Sequence, residues 1–188
     1  MGDNMIQKNR TTKLVLTAFF IALGLVLPFV TMQIPSIGNM LCPMHIPVLL
    51  CGFFCGGPYG LIAGLITPLL RSVLFGAPPM MPIGVAMAAE LATYGLVSGL
   101  LYQKVSDKRG GIYLSLVVAM LIGRGVWGIT SLGLFRMLGN IFTWKIFFMQ
   151  AFINAIPGII IQLLFIPLIV YQLQTVQVTK GEQWKSIN

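Results

Sequence analysis

The chain reads as an all-α integral membrane protein: a bundle of six transmembrane helices with both termini in the cytoplasm. Three observations carry that reading. Hydrophobic residues make up 57% of the 188 residues and charged residues only 9%, where a soluble domain carries about 25% charged residues. Mean hydropathy is +0.91, so lipid rather than water is the solvent such a chain can fold in. The apolar sequence also divides into runs near the ~20 residues that a helix needs to cross a bilayer, and no stretch alternates as a strand would.

The six runs are 12–30, 44–57, 58–76, 81–103, 112–135 and 147–172. The first follows Lys8, Arg10 and Lys13. It shares a basic start and an apolar body with signal peptides. Pro28-Phe29-Val30-Thr31-Met32-Gln33 follows it without a small-x-small cleavage site, so it is read as a permanent helix. The second run is short, begins near Pro43 and Pro47, and joins the third through Gly56-Gly57-Pro58. Residues 44–76 can therefore also be a tight helical hairpin. Residues 1–188 form a single membrane domain, with 174–188 a polar, mobile tail.

Orientation follows from the basic residues. Lys8, Arg10, Lys13, Lys104, Lys108, Arg109, Lys180 and Lys185 fall on one side of six alternating spans, and only Arg136 and Lys145 on the other. An excess of Lys and Arg marks the cytoplasmic side. The connections 31–43, 77–80 and 136–146 then face outward. The net charge of +8 is explained by these span ends, and no basic patch interleaved with aromatics suggests nucleic acid.

Glu90 is the only acidic residue in the apolar body, and Arg71 and Arg124 are the only basic residues buried with it. An ionisable group at the centre of a spanning helix costs ~2.5 to 3.5 kcal/mol even on lenient scales. These groups are expected to face one another, or a polar cargo, inside the bundle. With His45 at the mouth of the second run and Gln150 and Asn154 early in the sixth, the polar residues lie between the outer surface and the midplane. That distribution suggests a cup open to the outside, whereas a channel needs polar lining in both halves.

A structural ion pair between Glu90 and either arginine is the plainest reading. Two arginines against one glutamate leave a surplus positive charge, and an anionic cargo would supply the partner. Arg71, nearer the outer mouth, is read as the cargo arginine, and Arg124 as the partner of Glu90. His45 can cap a helix or contact cargo, Asn154 can bond a neighbouring helix, and Trp127 can stack on a cargo ring or simply pack. The apolar connection 31–43 is expected to fold over the cup as a gate, with Met32 and Met40 as adaptable contacts, Gly38 allowing the bend and Asn39 between them.

Chemistry of other kinds finds little support. His45 and Cys55 stand ~15 Å apart along a helix, and Cys42 lies on the far side, so neither a metal site nor a disulfide is expected. No phosphate-binding loop occurs, a single histidine excludes a His-pair metalloprotease, and no serine stands in a nucleophile context. No enzyme activity and no cofactor are expected. Ala18 and Ala22 lie one turn apart on the first run, while Gly52, Gly56, Gly60, Gly64, Gly95 and Gly99 form small-residue patches that let helices approach closely.

Ala18-x-x-x-Ala22, followed by Ile46-Pro47-Val48-Leu49-Leu50-Cys51-Gly52-Phe53-Phe54-Cys55-Gly56-Gly57-Pro58-Tyr59-Gly60-Leu61-Ile62-Ala63-Gly64, resembles the substrate-binding S-components of energy-coupling factor (ECF) vitamin transporters. The resemblance covers nearly the whole chain. It implies a high-affinity capture subunit in the cell membrane for a small water-soluble vitamin. It implies docking through Ala18 and Ala22 on a transmembrane coupling protein driven by two cytoplasmic ATPases. His45 stands where riboflavin-type members often carry an acidic residue, so riboflavin is not implied. The competing class is a self-sufficient secondary carrier or small channel working through protonation of Glu90, for which discontinuous helices and inverted repeats would speak.

Overall fold

The computed structural model describes residues 9–30, 43–106, 110–140 and 143–187. Its elements are helices α1 (Arg10–Val30), α2 (His45–Cys55), α3 (Gly57–Phe75), α4 (Val85–Val105), α5 (Gly111–Met137), α6 (Trp144–Phe148) and α7 (Ile156–Ile187). A π-helical turn at Met80–Gly84 leads into α4, and another at Met149–Ile153 joins α6 to α7. Among the described residues there is no strand. Five helical stretches are long and apolar enough to cross a membrane. The helix of the second apolar run is not: α2 has 11 residues, a rise of roughly 16 Å.

Chain direction follows from a few contacts. Arg10 and Lys13 begin α1, and Lys13 lies 6.0 Å from the ring of Tyr59 at the start of α3. Gly56 sits against Gln103 near the end of α4, and Gly111 against Val105. Leu16 shares an apolar groove with Ile169 and Leu173 of α7. One end of the bundle, the basic end, thus holds the start of α1, the α2–α3 turn, the end of α4 and the start of α5.

Residues 45–75 form a helical hairpin because Gly56, at φ 96°, reverses the chain in one residue. Its N–H closes α2 on the Gly52 carbonyl at 3.0 Å. Pro58 then starts α3, where its missing N–H costs nothing because that position has no intrahelical acceptor. Both helices pack on α4, which lies at the centre of the bundle. A side-chain carbon placed on Gly60 or Gly64 would fall on the α4 backbone at Gly95 or Leu91, and one on Gly95 or Gly99 on the backbone of the hairpin. The glycine patches are thus an internal seam where α2, α3 and α4 touch backbone to backbone, with dispersion in place of the hydrophobic drive that lipid does not supply.

Around this seam, one apolar core takes residues from every long helix, including Phe20, Leu49, Ala63, Tyr94, Met120 and Ile166. Phe20 stacks on Phe54 at 6.2 Å, and Phe53 meets Tyr102 edge to face at 5.0 Å. Large side chains such as Val15, Phe19, Leu121, Ile129 and Leu164 face outward, as helices solvated by lipid tails require.

The seam makes a direct test. Gly95→Val is expected to lower stability by about 1 to 3 kcal/mol through overpacking. Gly125→Val, where no atom stands within 4 Å, should leave it nearly unchanged. Thermal unfolding of both variants in the same detergent measures the difference, and equal midpoints would show that the seam is not tight.

Candidate functional site

His45 is the first residue of α2, and the shortness of that helix brings it down beside α4. Its Nε2 lies 3.8 Å from Glu90 Oε1. Arg124, from the middle of α5, places Nη1 3.1 Å from the same oxygen. Exposures of 2% for His45, 1% for Glu90 and 7% for Arg124 take all three out of solvent. The His45 ring also meets Tyr94 edge to face at 5.5 Å. Three helices thus converge on one carboxylate. Inside a bilayer this is how a charge is tolerated: paired, and walled from lipid by other helices.

The cluster belongs to a layer. His45, Glu90 and Arg124 lie four residues, about one turn, from the core members Leu49, Tyr94 and Met120, each time on the side away from the basic end. The same step leads from Phe20 to Gly24 on α1, from Ala63 to Thr67 on α3 and from Ile166 to Gln162 on α7. A side-chain carbon on Gly24 would touch Thr67, and the Thr67 hydroxyl donates to the Ala63 carbonyl at 2.7 Å. Each of the six long or hairpin helices thus carries one polar or small residue a turn beyond the apolar core, on the side away from the basic end.

Arg71 does not join Glu90. Its Nη1 donates to the Leu25 carbonyl of α1 at 2.8 Å, and its guanidinium lies 5.3 Å from the Phe29 ring and 5.5 Å from the Phe75 ring. The Leu25 carbonyl lies in the turn before Pro28 of α1, and the second lone pair of a backbone carbonyl can take a guanidinium N–H from a neighbouring helix. Glu90 thus pairs with Arg124, while Arg71 stands apart and ties α3 to α1.

The remaining sequence candidates take varied places. Trp127 stacks on Phe147 at 6.1 Å and packs with Ala86 and Ala151. Asn154 is exposed, its backbone N–H closing the π turn on the Met149 carbonyl at 2.8 Å. Ala18 and Ala22 are exposed along α1. Met32, Gly38, Asn39 and Met40 lie outside the described residues. Among the described residues no three His, Cys, Asp or Glu side chains come together as a metal site would need, and Cys51 and Cys55 are buried thiols within the apolar core, not joined in a disulfide. Thr67, Tyr94 and Gln162 were missed by sequence reasoning. Gln162 had a signal: it is the only amide or charged residue between Asn154 and Gln172.

A family model described as "ECF transporter, substrate-specific component" matches residues 12–171. No curated protein and no solved structure matches the chain.

The pairing of Glu90 with Arg124 predicts a strongly coupled double-mutant cycle. Glu90→Leu alone leaves Arg124 as a buried charge without its carboxylate and should cost about 3 to 5 kcal/mol. Adding Arg124→Met should recover most of that loss, because apolar residues replace both partners. Chemical unfolding in detergent measures all four corners of the cycle. Additive losses would refute the coupling.

Proposed function

The chain belongs to the ECF transporter substrate-specific component family, and on that premise we propose that it is the high-affinity capture subunit of an ATP-driven importer for a small water-soluble vitamin or related micronutrient. The family is one of transporters, and its members act in the membrane on a small-molecule substrate. The finer reading is that the chain sits in the cell membrane with its basic end in the cytoplasm. It holds cargo from outside and docks on a transmembrane coupling protein that two cytoplasmic ATPases drive.

The observation that supports capture is the convergence of His45, Glu90 and Arg124 on one level, with an apolar core beneath them. A cargo resting on this layer meets hydrogen-bonding groups and finds no polar route onward, so moving it inward takes a partner. Trp127 and Phe147, stacked one turn farther from the core, can wall the same space. An anionic cargo such as pantothenate would draw on the positive charge of Arg71, which stands apart from Glu90 against the Leu25 carbonyl and two aromatic rings.

Docking is supported by the outer face of α1. Val15, Ala18, Phe19, Ala22 and Val26 are all exposed along it, and the two alanines leave a smooth strip between bulky neighbours. Such a strip lets a second helix come close.

Replacing both Ala18 and Ala22 by Trp is expected to abolish uptake in cells that rely on this chain, while the purified chain still retains its cargo. Uptake that persists with the Trp pair counts against docking there. Reconstituting the chain alone in proteoliposomes tests the competing carrier: accumulation driven by a proton gradient, without any ATPase, would replace the capture reading.

A further inference from the structure

Gln162 is 0% exposed, and among the described residues neither its amide nitrogen nor its amide oxygen has a hydrogen-bond partner. Such a group is costly anywhere in a protein interior and more so in a bundle solvated by lipid, where water cannot reach in to satisfy it. A buried orphan of this kind calls for a partner that comes from elsewhere. Gln162 is also not isolated. It stands one turn beyond Ile166, as His45, Glu90 and Arg124 stand one turn beyond core residues of their own helices, each time on the side away from the basic end. On α7, Gly158, Gln162, Ile166 and Val170 form one buried stripe, so the amide shares the face that packs on α2 and α5, the helices carrying His45 and Arg124.

We propose that Gln162 is a specificity-determining residue of the capture site, and that the cargo is an uncharged small molecule presenting a hydrogen-bond donor and an acceptor on one edge, as a carboxamide or a lactam-containing ring does. This inference rests on the capture reading and narrows it. The amide offers a donor and an acceptor side by side without charge. Opposite it, a carboxylate would leave the amide oxygen facing an anion, and an ammonium would leave the amide N–H groups without an acceptor. The charges of the layer agree. Glu90 and Arg124 carry one charge of each sign and lie 3.1 Å apart, while Arg71 is spent on the α1 backbone. The carboxylate and the guanidinium of the layer sum to zero charge.

The test uses the full chain in lipid nanodiscs, wild type and Gln162→Met, which keeps the side-chain length and removes both polar atoms. The probe is a defined equimolar mixture of water-soluble vitamins, and native mass spectrometry reads which component is retained and at what concentration. The expected result is retention of an uncharged component with a donor–acceptor edge, with affinity about 10- to 100-fold weaker in Gln162→Met, the size of one or two lost neutral hydrogen bonds. The unfolding midpoint of the empty variant should equal or exceed that of the empty wild type, since an orphan amide has been removed. A clearly lowered midpoint would show that the amide is bonded within the fold and overturn its assignment. Equal affinity in the two proteins overturns the specificity role, and retention of a carboxylate or ammonium component overturns the cargo class. If the wild type retains no component, the capture reading itself fails and this inference falls with it.

Discussion

Three helices meet at Gly52, Gly60, Gly64, Gly95 and Gly99 so closely that no side chain fits between them, and the remaining architecture is hung on that seam. In lipid, apolar surface alone gives helices little reason to prefer one another over acyl chains, so contact area at short range carries the association. The Gly52 contact with Gly95 sets the register of α2 against α4. Two turns along α2 from that contact His45 appears, and rather more than one turn along α4 Glu90 appears. Their meeting is a consequence of the seam. A bulky residue at any of these glycines would push the two helices apart and unseat the carboxylate from its neighbours.

The two buried arginines show how one residue type meets the same demand in different ways. Arg124 is satisfied by charge, on Glu90 Oε1. Arg71 is satisfied by a backbone oxygen and by the faces of two aromatic rings, because a guanidinium is flat, weakly hydrated and suited to stacking. The second solution ties α3 to the Pro28 end of α1, the helix that also carries Ala18 and Ala22. The first leaves a neutral pair at the middle of the bundle. The electrostatics of the site thus differ from what a count of charged residues suggests.

The level of the polar layer also divides the molecule by task. On its basic side lie the broad apolar core and the seam, both tightly packed and without a buried Asp, Glu, Lys, Arg or His among the described residues. On the other side lie the smaller Trp127 cluster and the π-helical turns at Met80–Gly84 and Met149–Ile153. Departures from regular helix are tolerated in a membrane protein where other protein covers the backbone, and they often accompany functional sites. Tight packing is thus on the basic side of the layer, and irregular backbone is on the other.

What the sequence determined by itself were properties that run along one dimension. Composition and run length assign the chain to the membrane; five of the helical stretches are long and apolar enough to cross it, the helix of the second run is too short, and the last helix continues to Ile187 through the stretch read as a tail. The Gly56-Gly57-Pro58 turn made the hairpin readable, since reversal there needs a residue at positive φ followed by one that starts a helix. The Ile-Pro to Gly-Pro-x-x-Gly stretch carried the family resemblance. Glu90 and Arg124 stood out because charge in an apolar run is rare. Contacts across helices were a different matter. Arg71 and Arg124 look alike in sequence, and only the crossing of α1 over α3 shows that the Leu25 carbonyl reaches one of them first. His45 looked like a surface residue until an 11-residue helix placed it beside Glu90. The glycine patches and the Ala18–Ala22 strip share one pattern, yet one is buried in the seam and the other faces lipid. Gln162 was a lone amide in a greasy run, and its place in the layer depends on how far α7 slides along α2 and α5. Register and crossing between helices arise from packing of many side chains at once, so tertiary structure alone could decide them.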